Sequence, residues 1–258
     1  MYPYGKKEDI VNALPGRSVH SIREKSRKVE IRSVALRAHV LHSTSLFSTW
    51  SKESAWLFGV LFPKSTFGVP PTRQLLFWST RKSLVEQVAT ALEIPRDIGH
   101  RPTDRKTQYF ITIASRELIR KLEQKGLVPL KKNRKLPDVP NEYIWHFLRG
   151  FFDTQSSIFI SSHRWGVGFA RRDVVEKIND VFYRLAGIKN LRTKEPCKIF
   201  YSERGHQWYF RIGGINLERL YKFLYGDISN IAFNKDKKEQ FDKLLKIARR
   251  HFSSYIVH

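Results

Sequence analysis

Apolar residues recur along this chain with two spacings, one of about 3.6 residues and one of about 2, in an order that occurs twice. From Ser51 onward, SAWLFGVLF is apolar all round, as a buried helix is. RQLLFWST alternates like a strand, RKSLVEQVATALEI carries an amphipathic stripe, TQYFITIAS alternates again, and RELIRKLEQKG reads as a helix stopped by Gly126. The series then returns: NEYIWHFLRGFFD as a helix, SSIFIS and WGVGFARR as strands, DVVEKINDVFYRLAG as a helix, CKIFYS and HQWYFRI as strands, NLERLYKFLYG as a helix. Capping boxes at Ser83/Glu86 and Asp173/Glu176 are predicted to open the two amphipathic helices. An extra basic helix, NKDKKEQFDKLLKIARRHF, closes the chain. The pattern predicts an α+β fold of two pseudo-symmetric αββαββα repeats, each too small to be generously stable alone, so that the two share one core. The expected divisions are a basic helical segment over 1–50, a first repeat over 51–136, and a second repeat with the closing helix over 137–258.

Ahead of the repeats, residues 8–31 read as two short helices. Ile10, Val11 and Leu14 face one way on the first, Pro15-Gly16 breaks it, and Ser18 can cap a second that carries Val19, Ile22 and Val29. Arg17, His20 and Arg23 crowd that second helix, and a turn followed by a basic helix is how helix-turn-helix modules enter a major groove. The LPGRS wording resembles the second half of a Myb/SANT-like helix-turn-helix, which implies DNA contact by those three residues. A short helical pair that packs on the main domain is the competing reading. Residues 32–50 read as a basic connector.

Charge narrows the partner. The 258 residues are 41% hydrophobic and 13% aromatic, enough for a packed core, yet Lys and Arg number 47 against 24 Asp and Glu, a formal net charge of +23. Such an excess points to a polyanion. No apolar run reaches the roughly 18 residues of a membrane span, and no signal-like N-terminus is present, so nucleic acid is preferred over an anionic membrane. The single cysteine, Cys197, excludes an internal disulfide and a cysteine-based zinc site, and fits a reducing, intracellular compartment. His146, His163, His206 and His251 have no metal-ligand spacing, and no nucleophile-base pair stands out.

At LRGFFDTQSSIFI, preceded by GLVPLKKNRKLPDVPNEYIWHF and matched more weakly by LFGVLFPKSTF, the chain resembles the single-chain, two-repeat LAGLIDADG homing endonucleases. The resemblance implies that Gly59 and Gly150 let two helices cross closely, with Leu57, Val60, Leu148 and Phe151 buried beside them. It also implies that each motif ends on an acid that holds divalent cations for phosphodiester hydrolysis. Aligned on the glycines, those positions are Lys64 and Gln155, a cation and a neutral amide, while Asp153 falls on the motif's earlier acid, which is not the usual metal ligand. Asp153 reads as a helix-end carboxylate with local hydrogen bonds, and Pro63 as a residue that reshapes the first helix end. No metal or other cofactor is expected, with Mg²⁺ needed only if the chain is an active endonuclease.

In the family the two sheets form a saddle along the DNA major groove. Alternation in HQWYFRI puts His206, Trp208, Phe210 and Ile212 on one face and Gln207, Tyr209 and Arg211 on the other, where amide, phenol and guanidinium suit base edges and phosphates. Comparable positions are Arg73, Gln74, Ser79, Arg81 and Lys82 in the first half and His163, Arg164, Arg171 and Arg172 in the second. The leading expectation is a monomeric protein that binds duplex DNA on a catalytically inactive scaffold. Two alternatives stay open: an RNA-binding maturase or a component of a ribonucleoprotein such as a ribosome, and an active metal-dependent endonuclease. Inactive scaffolds of this kind also occur in bacterial transcription regulators.

Overall fold

The computed structural model describes residues 45–67, 74–94, 98–103, 106–226 and 233–253, the last three by backbone only. The helix-turn-helix reading with Arg17, His20 and Arg23 lies outside these residues, as does Arg73.

Helix α1 (Lys52–Lys64) opens on a reciprocal cap: the Ser54 N–H donates to the Ser51 hydroxyl, and the Ser51 N–H donates to the Ser54 hydroxyl. Every residue from Ser54 to Pro63 is buried, as its all-round apolar sequence requires. There follow β1 (Ser65–Phe67), β2 (Leu75–Ser79), α2 (Lys82–Ala91), β3 (Gly99–Arg101), β4 (Gln108–Ile113) and α3 (Arg116–Gln124). A 3-10 turn at Lys131–Asn133 leads to the second half. That half comprises α4 (Ile144–Gln155), β5 (Ser156–Phe159), β6 (Arg164–Phe169), α5 (Arg172–Ala186), β7 (Ile199–Ser202), β8 (Gln207–Gly213) and α6 (Asn216–Tyr225), and α7 (Lys235–Ser253) ends it.

The halves repeat one topology. Each holds a four-stranded antiparallel sheet, ordered β1-β2-β4-β3 and β5-β6-β8-β7, so the predicted αββαββα repeat is the architecture of the molecule. Helix α2 covers one face of the first sheet, α5 and α6 the matching face of the second. Between the halves α1 and α4 cross at their glycines. A methyl group on Gly59 would lie 2.0 Å from the Phe147 carbonyl oxygen, and one on Gly150 would lie 2.0 Å from that of Trp56. Phe58 and Phe62 of α1 pack against Phe147 and Phe151 of α4 with ring centroids 5.9–6.3 Å apart, which joins both halves into a single core.

Two local expectations are corrected. Neither predicted capping box forms, because the N-caps of α2 and α5 lie two residues earlier, at Arg81 and Arg171, without a side-chain cap. Ser83 instead donates to Asp236 of α7, while Asp173 and Glu176 accept from Arg171 and Arg172. Pro63 does not reshape α1: the C-cap residues Ser65 and Ser156 share an extended backbone (φ −82°, ψ 152° and φ −79°, ψ 153°), and each hydroxyl donates to the carbonyl four residues back. The predicted closing helix forms as α7 and packs on the second half: Phe241, Leu244, Leu245 and Ala248 are buried and Phe241 stacks on Trp165 at 5.3 Å.

Candidate nucleic-acid interface

Alternation along each strand decides what the uncovered sheet faces present. In the second sheet Phe210 and Ile212 are buried under the helices, so Gln207, Tyr209 and Arg211 turn to the open face. Register sets Arg211 beside Gly166 and Ser157, and Tyr209 beside Gly168 and Phe200. Gly166 and Gly168 carry no side chains, which leaves a shallow pocket of about 180 Å³ lined by Gln155, Ser157, Phe159, Gln207, Tyr209 and Arg211. The Arg211 guanidinium lies 5.4 Å from the Phe159 ring and 5.1 Å from the Tyr209 ring, Tyr209 stacks on Phe200 at 5.7 Å, and Lys198 lies 5.4 Å from Phe200. Cation and aromatic thus alternate across three strands of the open face. Arg164 shares this face by register, and His163 sits in the β5–β6 turn with a positive φ of 50°.

The first sheet presents Leu76 and Trp78 from β2 and Phe110 and Thr112 from β4, with Gln74 in phase with Leu76 just before the strand. Ser79 is in phase with buried Leu75 and Phe77, and its hydroxyl accepts from the Arg81 N–H.

Four of the candidate cations do not belong to strand faces. Arg81 is the N-cap of α2 and extends to the Asp153 carbonyl at 3.4 Å and to Gln240 of α7. Lys82 pairs with Glu86 along α2. Arg171 is held by both Asp173 oxygens at 2.7 Å, and the hydrogen bond from Arg171 holds the Asp173 carboxyl below the usual range. Arg172 pairs with Glu176 and lies over Trp208, on the helix side of the sheet. Reading WGVGFARR as strand to its end placed Arg171 and Arg172 wrongly, because β6 stops at Phe169 and the chain turns into α5.

Lys64 and Gln155 end the crossing helices, and each runs straight into the first strand of its sheet. Gln155 lines the pocket in phase with Ser157. Lys64 lies 4.8 Å from the Trp78 ring, on the corresponding open side of the first sheet. Lys131, from the inter-repeat turn, lies 5.8 Å from the same ring. Burial lowers the pKa of Lys64; burial first, then the charges of Lys64 and Arg134, brings Lys131 down to about 8.

Behind these residues each helix end is bound by a buried cation. Arg134 donates to the carbonyls of Phe62, Val128 and Ser65, the last two at 2.9 Å, and its burial lowers its pKa to about 10. Lys237 of α7 donates to the carbonyl of Ser156, the counterpart of Ser65, and burial brings it to about 7. Helix C-termini attract positive charge, and both cations satisfy carbonyls that lack intrahelical donors.

Sequence reasoning missed Lys131, Arg134 and Lys237. Lys237 had a readable signal: it occupies the apolar stripe that continues through Phe241, Leu244, Leu245 and Ala248. Lys131 and Arg134 stood in a basic linker whose contacts depend on the fold.

Asp153 is fully buried and its bonds are not local. Trp56 Nε1 of α1 donates to Oδ2 at 3.1 Å, the Asn234 N–H donates to Oδ2 at 3.0 Å, and the Tyr225 hydroxyl lies 3.3 Å from Oδ1. Burial raises its pKa to about 6 against these bonds.

No protein-family model and no curated protein sequence matches the chain. Solved structures do. The homing endonuclease I-WcaI, bound to its DNA recognition sequence, superposes with a TM-score of 0.57 over 92% of this chain and 97% of its own, at 13% identity. This chain has the LAGLIDADG homing-endonuclease fold. Other solved LAGLIDADG-type similarities are I-DmoI in complex with DNA and Mn (TM-score 0.45, 11% identity, 69% of this chain and 98% of that one) and the N-terminal LAGLIDADG domain of DUF199/WhiA (0.46, 11%, 81% and 96%).

The residues present do not fit the divalent cations that LAGLIDADG nucleases imply. A hard cation needs carboxylate oxygens, whereas the two helix ends offer an ammonium and a neutral amide, and Asp153 spends its oxygens on buried donors. Among the described residues no group of three or more His, Cys, Asp or Glu is placed to hold a metal ion, and no helix is long and apolar enough to cross a membrane.

Proposed function

We propose that this protein binds duplex DNA along the open faces of its two sheets and does not hydrolyse it. The observation that carries the reading is the pairing of Lys64 and Gln155 at the ends of the crossing helices with an open face bearing Arg211, Arg164, Gln207 and Tyr209. Two-metal hydrolysis needs carboxylates to gather cations against their hydration, and these positions supply one opposing charge and one amide. Phosphate and base-edge contacts need no acid, so binding persists when cutting is lost. The shared fold with I-WcaI, which was solved on its DNA recognition sequence, supports duplex DNA as the polymer.

The test is to select a bound sequence from a random duplex pool, then incubate it with purified protein and Mg²⁺ or Mn²⁺. Retention of the duplex without nicks is the expected outcome. Site-specific nicks or double-strand breaks would overturn inactivity.

One observation favours a second reading. Phe159 and Phe200 are 38% and 41% exposed on the open face beside Tyr209, and exposed rings flanked by cations stack unpaired bases. Tighter binding of single-stranded RNA than of any selected duplex would favour a ribonucleoprotein role.

A further inference from the structure

Several surface cations among the described residues are matched by acids: Lys82 with Glu86, Arg171 with Asp173, Arg172 with Glu176, Arg184 with Asp180, Lys238 with Asp242. Lys64 and Lys131 are treated differently. They arrive from separate elements, the end of α1 and the inter-repeat turn, yet their ammonium groups gather over one indole, 4.8 and 5.8 Å from the Trp78 centroid. Among the described residues no carboxylate pairs with either. Both are half-buried, so water screens them less than it screens a surface pair. Neighbouring Arg134 cannot relieve them, since it is a third positive charge and its donors are spent on backbone carbonyls.

We propose that Lys64 and Lys131, gathered over Trp78 at the end of α1, form a binding site for one phosphate group, supplied by the backbone of the nucleic acid that lies on the sheets. The identity of that polymer rests on the reading above; the phosphate chemistry does not. A ring face attracts each cation but leaves the two ammonium groups repelling one another. A phosphate oxygen placed between them offsets that repulsion and accepts from both. Lys64 leaves α1 in phase with the open side of the first sheet, so the site lies on the nucleic-acid face and not behind it.

The groups facing Lys131 make the site sensitive to pH. From α1 it meets Lys64, from its own turn Arg134, and from β2 the neutral Trp78; with burial, the two charges lower its pKa to about 8. Phosphate binding favours the charged form, so affinity weakens as pH rises through that value and the ammonium is lost.

The experiment uses the full chain with lysine side chains observed by NMR, titrated alone, with inorganic phosphate, and with a selected duplex. Duplex affinity is measured in parallel between pH 7 and 9. Lys131 is expected to titrate near 8 alone and about one unit higher with either ligand, and duplex affinity to fall about fivefold over that range, as linkage of one proton with that shift requires. Lys131→Arg, which keeps its charge throughout, is expected to retain affinity at pH 9 and flatten the profile. A Lys131 titration unmoved by both phosphate and duplex overturns the site, whatever the affinity for DNA. A shift with phosphate and no binding of any duplex keeps the site as one for free phosphate and removes the duplex reading instead.

Discussion

Asp153 shows how one residue changes role when its surroundings are known. Its carboxyl holds Trp56 from the first half and Asn234 from the segment leading to α7, so it ties together parts of the chain far apart in sequence. Full burial raises its pKa from 3.8 to about 6, so the folded protein holds this proton where the unfolded chain has released it. Between pH 4 and 6 the native state therefore binds more protons, and this group's contribution to stability falls as pH rises through that window. In Asp153→Asn, Oδ1 can accept from Trp56 and Asn234 while Nδ2 donates to the Tyr225 oxygen. The expected outcome is a melting temperature above that of the native protein at pH 7, with the advantage vanishing near pH 4; an equal advantage at both pH values would refute the assignment. Asp153→Ala leaves buried donors without an acceptor and is expected to cost about 3 kcal/mol, read from denaturant unfolding.

At the scale of elements, the crossing of α1 and α4 holds the molecule together. The methyl group of an alanine at Gly150 would meet the Trp56 backbone carbonyl at 2.0 Å, and backbone cannot rotate aside as a side chain can. Overpacking typically costs about 1–3 kcal/mol, and Gly150→Ala is expected at or above the top of that range, with Gly59→Ala matching it. Calorimetry of both variants checks the equivalence that the pseudo-symmetry demands. The matched Ser65 and Ser156 caps leave both helix ends in the same conformation, so Lys64→Asp with Gln155→Asp restores two acids at equivalent positions. Mg²⁺-dependent nicking by that double variant is the expected outcome, scored on the selected duplex.

Over the whole molecule the net charge of +23 makes any interaction with a polyanion salt-sensitive, while the fold decides which cations are placed to take part. For a duplex, the logarithm of the binding constant is expected to fall with that of salt by about 0.9 for each phosphate neutralised. Arg211→Ala, on the open face, is expected to reduce this slope by about one if Arg211 grips a phosphate. Arg172→Ala is expected to change it less, since Arg172 lies over Trp208 on the helix side and already pairs with Glu176. Phe210→Ala is expected to lower the melting temperature, because Phe210 is buried beneath α5. Equal slopes for the two arginine variants would refute the assignment of faces.

The repeat, its long strands and amphipathic helices, and the two glycines were determined by sequence alone, because burial writes a period of 2 or 3.6 into any element long enough to show it. Strands β1 and β3, of three residues each, are too short to carry a period and form only because β2 and β4 are there to pair with them. The face of Gln207, Tyr209 and Arg211 was readable for the same reason as the repeat, since alternation fixes sides once one side is buried. What tertiary structure decided was every pairing across the chain: Asp153 with Trp56, Arg134 and Lys237 with the two helix ends, Lys131 with Lys64 over Trp78. Such pairings follow from which backbones the crossing helices bring together, and charge and hydrogen-bond partners distant in sequence leave no periodic trace in it.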